Sequence, residues 1–132
     1  MTNKKFALDV KAAVLCDDVR KEANGKDIII GAYTGQITVG GFPAHFPFSL
    51  WLILSMKQMG KFKLEIEIRG TSDARISSME TNIEVTGDDN YAGITLGPFM
   101  TELQQEGNIT ARARLDEGAW HEIFKMPVTV AT

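Results

Sequence analysis

The sequence predicts an all-β protein, an antiparallel two-sheet sandwich of seven or eight strands, with a closed barrel as the alternative. Two observations carry that expectation. Apolar and polar residues alternate with a period of two along most of the chain, the signature of strands with one face on a core and one in water. Turn-forming residues interrupt the alternation at the spacing of short strands. A third observation bounds the architecture: 132 residues allow one compact domain, 1–132, with residues 1–11 as a loose N-terminal arm.

The elements follow in chain order. Lys4 and Lys5 imitate the charged start of a signal peptide, but Asp9 and Lys11 interrupt the apolar region that should follow. Asn24-Gly25 separates two β-rich stretches and is a strong hairpin signal, because a type I′ turn needs positive φ at both central residues. Taken as a two-residue turn, it sets Ala23 opposite Lys26, Asp18 opposite Gly31 and Asp17 opposite Ala32. Phe48, Leu50, Leu52, Leu54 and Met56 form an unbroken apolar face, and Trp51 and Ile53 on the other face predict a central strand covered on both sides. This run is too short to span a bilayer. After the Met59-Gly60 break, Phe62, Leu64, Ile66 and Ile68 alternate with Lys63, Glu65, Glu67 and Arg69. Ile83 and Val85 continue more loosely to a break at Asp88-Asp89-Asn90. Residues 99–105 fit either a helical turn or a strand. Ile109, Ala111, Ala113 and Leu115 then alternate with Thr110, Arg112 and Arg114, and Asp116-Glu117-Gly118 turns the chain into Phe124, Met126, Val128 and Val130. The mixed charges on the 63–69 and 110–114 faces are of the kind that discourages edge pairing.

The first hairpin also carries a resemblance. The run from Cys16 through Asp17, Asp18, Val19 and Arg20 to Asn24-Gly25-Lys26, closing in Gly31-Ala32-Tyr33, resembles the opening of a family of small uncharacterised bacterial domains. The likeness extends to a proline after the second strand, Pro43 or Pro47, and to the closing hairpin from Gly107 to Val130, where Ile109 stands at a position expected to be aromatic. The family is similar to immunoglobulin-like sandwiches. It implies that fold and carries no catalytic or binding residues.

Chemistry has few candidates. Asp17 and Asp18 are adjacent in a strand and so point to opposite faces, which rules them out as one carboxylate pair. With Arg20 on Asp18's face, Asp17, Asp18 and Arg20 read as a buried ion pair; the competing reading is a perturbed acid in a cleft. His45, in a loop, and His121, at the start of the last strand, have no partner at metal-ligand spacing, and no cofactor or metal is expected. Cys16 reads as a small buried hydrophobe. It cannot make an internal disulfide, which fits a reducing compartment. Asp88-Asp89-Asn90 offers too few oxygens for calcium and reads as a solvated turn. The segment 40–48 is the most unusual stretch. Its prolines stiffen a loop on which Phe42, His45 and Phe46 could anchor a partner, and Trp120 beside a turn is a fourth candidate. The same rings could instead plug one end of the core.

A net charge of −3 gives no electrostatic reason to expect nucleic acid or an anionic membrane. The first functional expectation is therefore a non-catalytic module, cytoplasmic, that binds a protein partner or assembles as a homo-oligomer. A structural component of a phage particle is a variety of that reading. The alternative is a small-ligand-binding protein or hydrolase built on the acidic first hairpin.

Overall fold

The computed structural model describes residues 7–87 and 90–131. They form nine strands: β1 Leu8–Lys21, β2 Asp27–Ala32, β3 Ile37–Val39, β4 Ala44–Met56, β5 Gly60–Arg69, β6 Arg75–Val85, β7 Asn90–Leu103, β8 Gly107–Leu115 and β9 His121–Val130. Strand makes up 73% of the structure with no helix, which settles the all-β class and resolves residues 99–103 as strand. The count exceeds the expected seven or eight because β3 is too short for alternation to reveal. Of the arm expected over residues 1–11, residues 1–6 lie outside the described residues. The rest of it, from Leu8 onward, is no loose arm but part of β1, with Leu8 buried.

The strands form two sheets. The first has the order β2-β1-β4-β7 and is antiparallel throughout. The second has the order β3-β9-β8-β5-β6, is curved into a half-barrel, and contains one parallel pair, β3 with β9. Side chains of both sheets build one apolar core. β4 lies between β1 and β7, as its two apolar faces predict, with Leu50, Leu52 and Leu54 fully buried and Trp51 and Ile53 half-buried on the opposite face.

Phe48 is the centre of the aromatic part of that core. Its ring stacks on Phe46 at 5.7 Å and meets Tyr33 at 6.0 Å and Phe99 at 6.3 Å edge-on. Just beyond it the β4–β7 register slips between Phe48↔Phe99 and Leu50↔Leu96. Gly97 sits in this bulge with φ 109°, so close to β4 that a side chain would have no room. The slip adds a residue to β7 and keeps Leu96 and Phe99 both directed to the core.

The first hairpin departs from its expected register by one residue: Asp18 pairs with Ile30, Val19 with Ile29, and Lys21 with Asp27. The cause lies in the turn. The Gly25 amide donates to the Glu22 carbonyl and the Glu22 amide to that of Lys26, with only Gly25 at positive φ. This is a three-residue loop, a turn followed by a glycine bulge, rather than the two-residue I′ turn. The I′ arrangement appears instead at the last turn. There Asp116 and Glu117 have φ 50° and 62°, and the Gly118 amide donates to the Leu115 carbonyl.

Two further expectations are corrected. His45 is in β4 rather than in a loop, because the 40–48 segment becomes strand from Ala44 onward and pairs with β7. The charged 63–69 and 110–114 runs do not guard an edge. They are β5 and β8, interior neighbours whose charges face one another.

Candidate functional site

At the acidic hairpin, the side chains the sequence singled out are tied into local contacts. The Tyr33 hydroxyl donates to Asp17 Oδ1 at 3.1 Å. Asp18 accepts from the Val19 amide at 2.9 Å and from Arg20 Nε at 3.2 Å. The Asp18–Arg20 pair therefore exists, but it is a surface pair and not a buried one, since Arg20 is 70% exposed; Asp17 takes no part in it. The fault lies in placing the pair by face alone: both residues follow the last β1–β4 partner, Cys16, where only β2 flanks β1. Cys16 is fully buried, its thiol donating toward the Ser49 carbonyl at 3.5 Å. Burial and the neighbouring Asp17 charge push the thiol pKa up, which keeps it protonated and unreactive. Burial and the same carboxylate push Tyr33 up to about 12, so the phenol stays a donor.

Asp27, at the tip of this hairpin, does more. It accepts from Lys21 Nζ at 2.7 Å and from the Trp51 indole at 2.9 Å, which ties β2 back to the middle of β4. Those two hydrogen bonds, with the Lys21 charge, hold its carboxyl below the ordinary range.

The aromatic candidates divide. Phe42 and Phe46 are half-buried and pack against the core, whereas the His45 side chain is 60% exposed, with Nδ1 3.9 Å from Glu102. Trp120 lies on the other sheet, away from them. The guanidinium carbons of Arg112 and Arg114 stand 4.4 Å and 4.6 Å from its ring centroid. Beneath the ring runs a ladder of ion pairs across β5 and β8. Arg114 holds Glu65 through two hydrogen bonds, and Glu67 accepts from Arg69 at 2.7 Å and from Arg112 at 3.3 Å. Every other residue of two adjacent strands faces the same way, so the Glu65–Glu67 and Arg112–Arg114 alternation brings these charges together. Trp120 roofs this network instead of offering a bare ring.

The ladder predicts a pH dependence. Burial pushes the Glu67 carboxyl up, but the hydrogen bonds and charges of Arg69 and Arg112 outweigh it and hold it below the ordinary range. The Arg114 hydrogen bonds do the same for Glu65. A carboxylate with a depressed folded pKa contributes stability above its unfolded pKa, near 4.5, and that contribution is lost as pH falls through the folded value. The urea midpoint should therefore hold steady from neutrality to about pH 5 and fall below it. Glu67→Gln should lower the midpoint at pH 7 and shrink the acid slope; an unchanged slope would show that this ladder is not its source.

Two clefts lie among the described residues beside these groups. One of about 430 Å³ is lined by Lys61, Phe62, Ile83 and Glu84, and another of about 300 Å³ by Arg69, Asp73, Trp120 and Glu122. Neither brings Asp17 or Asp18 toward a histidine. Among the described residues there is no group of three or more metal-ligating side chains, and the Asp88-Asp89 turn lies outside them.

The sheet edges show what the sequence reading missed. The terminal strands are β2 and β7 in one sheet and β3 and β6 in the other. β3 is three residues long, β6 carries Arg75, Glu80 and Glu84, and β7 contains the Gly97 bulge and Pro98. These are features that blunt an edge. β2 has Ile28, Ile29 and Ile30 in a row, with Ile28 42% and Ile30 40% exposed. Tyr91 and Met100, on the opposite edge of the same sheet, are 60% and 71% exposed. The isoleucine run was visible in the sequence, but nothing local says that, among the described residues, the strand would have a neighbour on one side only.

A family model described as a family of unknown function, DUF6941, matches residues 11–130, nearly the whole chain, and the chain belongs to that family. This bears out the likeness read at the first hairpin. No curated protein matches the chain.

Proposed function

We propose that this member of a family of unknown function is an immunoglobulin-like β-sandwich that binds protein by accepting a strand at the free edge of β2, and that it does no chemistry. The sandwich reading is supported by two sheets sharing one core. The observation that carries the function is the β2 edge: a terminal strand with two large exposed apolar side chains and, from Ile28 to Ile30, neither charge nor proline. Such an edge presents a row of backbone donors and acceptors, and strand addition uses them for affinity and alternate side chains for specificity. The engagement of Asp17, Asp18 and Tyr33 in local hydrogen bonds favours a structural role for the acidic hairpin over a catalytic one.

An extended peptide of alternating threonine and valine, titrated into isotope-labelled protein, should shift the amide resonance of Ile29, which faces away from β1, more than those of β6. Ile30→Lys should abolish that response. Shifts confined to the clefts, or a small molecule retained on the purified protein in native mass spectrometry, would move the function to ligand chemistry and overturn the reading.

A further inference from the structure

We infer that Asn24 is a site of spontaneous covalent modification. Its side-chain amide is lost to water through a ring closed with Gly25, leaving aspartate or isoaspartate at the tip of the first hairpin, and the folded hairpin gates the reaction. This goes beyond strand acceptance at β2 and does not rest on it. It follows from the sequence at the tip, its exposure, and the hydrogen bonds that hold the two reacting groups.

The sequence comes first. Of the five asparagines, Asn24 alone precedes a glycine. Asn82, Asn90 and Asn108 lie in strands, each before a bulky isoleucine or tyrosine, and Asn3 lies outside the described residues. Glycine offers an unhindered backbone nitrogen and the conformational freedom that ring closure needs. Residues 20–26 are exposed, and nothing lies within 4 Å of the position a Gly25 Cβ would take. Water therefore reaches the tip, and the glycine amide has room to turn. The steps balance with water alone. Hydroxide takes the Gly25 amide proton, and that nitrogen attacks Asn24 Cγ. The former Oδ1 carries the charge of the tetrahedral intermediate. As it collapses, the bond from Cγ to Nδ2 breaks, and the nitrogen leaves as ammonia with a proton from water, restoring hydroxide. Water then opens the five-membered succinimide at either carbonyl, to aspartate or to isoaspartate.

The hairpin acts on both partners of this ring closure, in opposite directions. The Lys26 amide donates to Asn24 Oδ1 at 3.1 Å, a donor placed where the negative charge develops. The nucleophile, by contrast, is masked, because the Gly25 amide donates to the Glu22 carbonyl at 3.0 Å. Its proton leaves when that bond opens, so the closed tip slows the attack despite the helpful donor. Behind the tip, the Glu22 amide donates to the Lys26 carbonyl at 2.7 Å, and Lys21 pairs with Asp27, which also takes the Trp51 indole. These contacts set how often the tip opens. The product loosens it in turn. Isoaspartate carries the backbone through the side-chain carbon, adding one methylene to a loop whose ends the Glu22–Lys26 bond holds together. Either product places a new carboxylate in a loop already flanked by Glu22 and Asp27.

The test uses the full chain, incubated at neutral pH either folded or in urea. Peptide mapping by mass spectrometry should find acid in place of amide at residue 24 in both. An isoaspartate-specific carboxyl methyltransferase should label the aged protein and not the fresh one. The urea rate should exceed the folded rate about tenfold or more, as an opening equilibrium at the low end of native stability requires. Asp27→Ala, which leaves Asn24 and Gly25 untouched, should narrow that gap by raising the folded rate alone. Lys21→Ala, at a side chain 73% exposed, makes the same test if the first variant does not fold. Asn24→Gln, whose longer side chain would need a six-membered ring, should abolish the labelling. No modification at residue 24 in either state would overturn the site. Equal folded and urea rates, or a gap unmoved by loosening the Lys21–Asp27 clasp, would overturn the gate.

Discussion

Phe48→Ala is expected to destabilise the fold by about 3–5 kcal/mol, a large share of the stability of a domain this size. The ring is fully buried and in contact with Tyr33, Phe46 and Phe99. Those partners come from different parts of the chain: Phe46 and Phe48 from β4, Phe99 from β7, and Tyr33 from just beyond β2. None can move into the vacated space without giving up its own packing, because Phe99 is fixed by pairing opposite residue 48 and Tyr33 by its hydrogen bond to Asp17. The cavity term therefore adds to the lost transfer energy. Urea denaturation with a constant m-value would measure it. Phe46→Ala, on the half-buried neighbour, should cost less. Equal losses would mean that the two rings act as one packed unit.

Gly97→Ala should cost about 2–5 kcal/mol, from two separable sources. The first is conformational: φ is 109°, outside the range an L side chain tolerates readily. The second is steric, since a Cβ would stand 2.6 Å from the Phe48 carbonyl oxygen and 3.1 Å from Ser49 Cα, both backbone atoms of a central strand. Gly25→Ala separates the two. Gly25 also has positive φ, 89°, but nothing lies within 4 Å of its Cβ position, so it carries only the conformational penalty. Thermal unfolding of both variants should rank Gly97→Ala well below Gly25→Ala. If the two fall together, β4 has shifted to make room and the bulge is softer than its contacts indicate.

What could be read in advance followed from periodicity. The alternation of residues 62–69, 109–115 and 124–130 led directly to β5, β8 and β9, and the two apolar faces of residues 48–56 placed β4 inside its sheet. The register of the first hairpin was missed because Asn24-Gly25 fits either of two loops, and the choice between them rests on the Glu22 backbone rather than on the turn residues. The acidic pair was legible as a contact but not as a surface one, since burial depends on where β4 stops covering β1. The same limit hid the β2 edge. Ile28 to Ile30 look like any buried strand until the chain order of the sheet is known, and that order is set by contacts between distant segments.

The strand order has a kinetic consequence. Only β1–β2, β5–β6 and β8–β9 are hairpins between sequential strands in one sheet; β3, β4, β5, β7 and β8 each follow a strand of the opposite sheet. The pair that closes the first sheet joins Ala44–Met56 to Asn90–Leu103 across the whole of residues 57–89. Loop-closure entropy must be spent before that pair returns anything, which places the protein among slow folders, on a scale of about milliseconds to seconds. Until β7 arrives, β4 waits with its apolar faces incompletely covered. During synthesis and refolding it is this central strand, the best protected one in the finished molecule, that stands most open to the wrong partner.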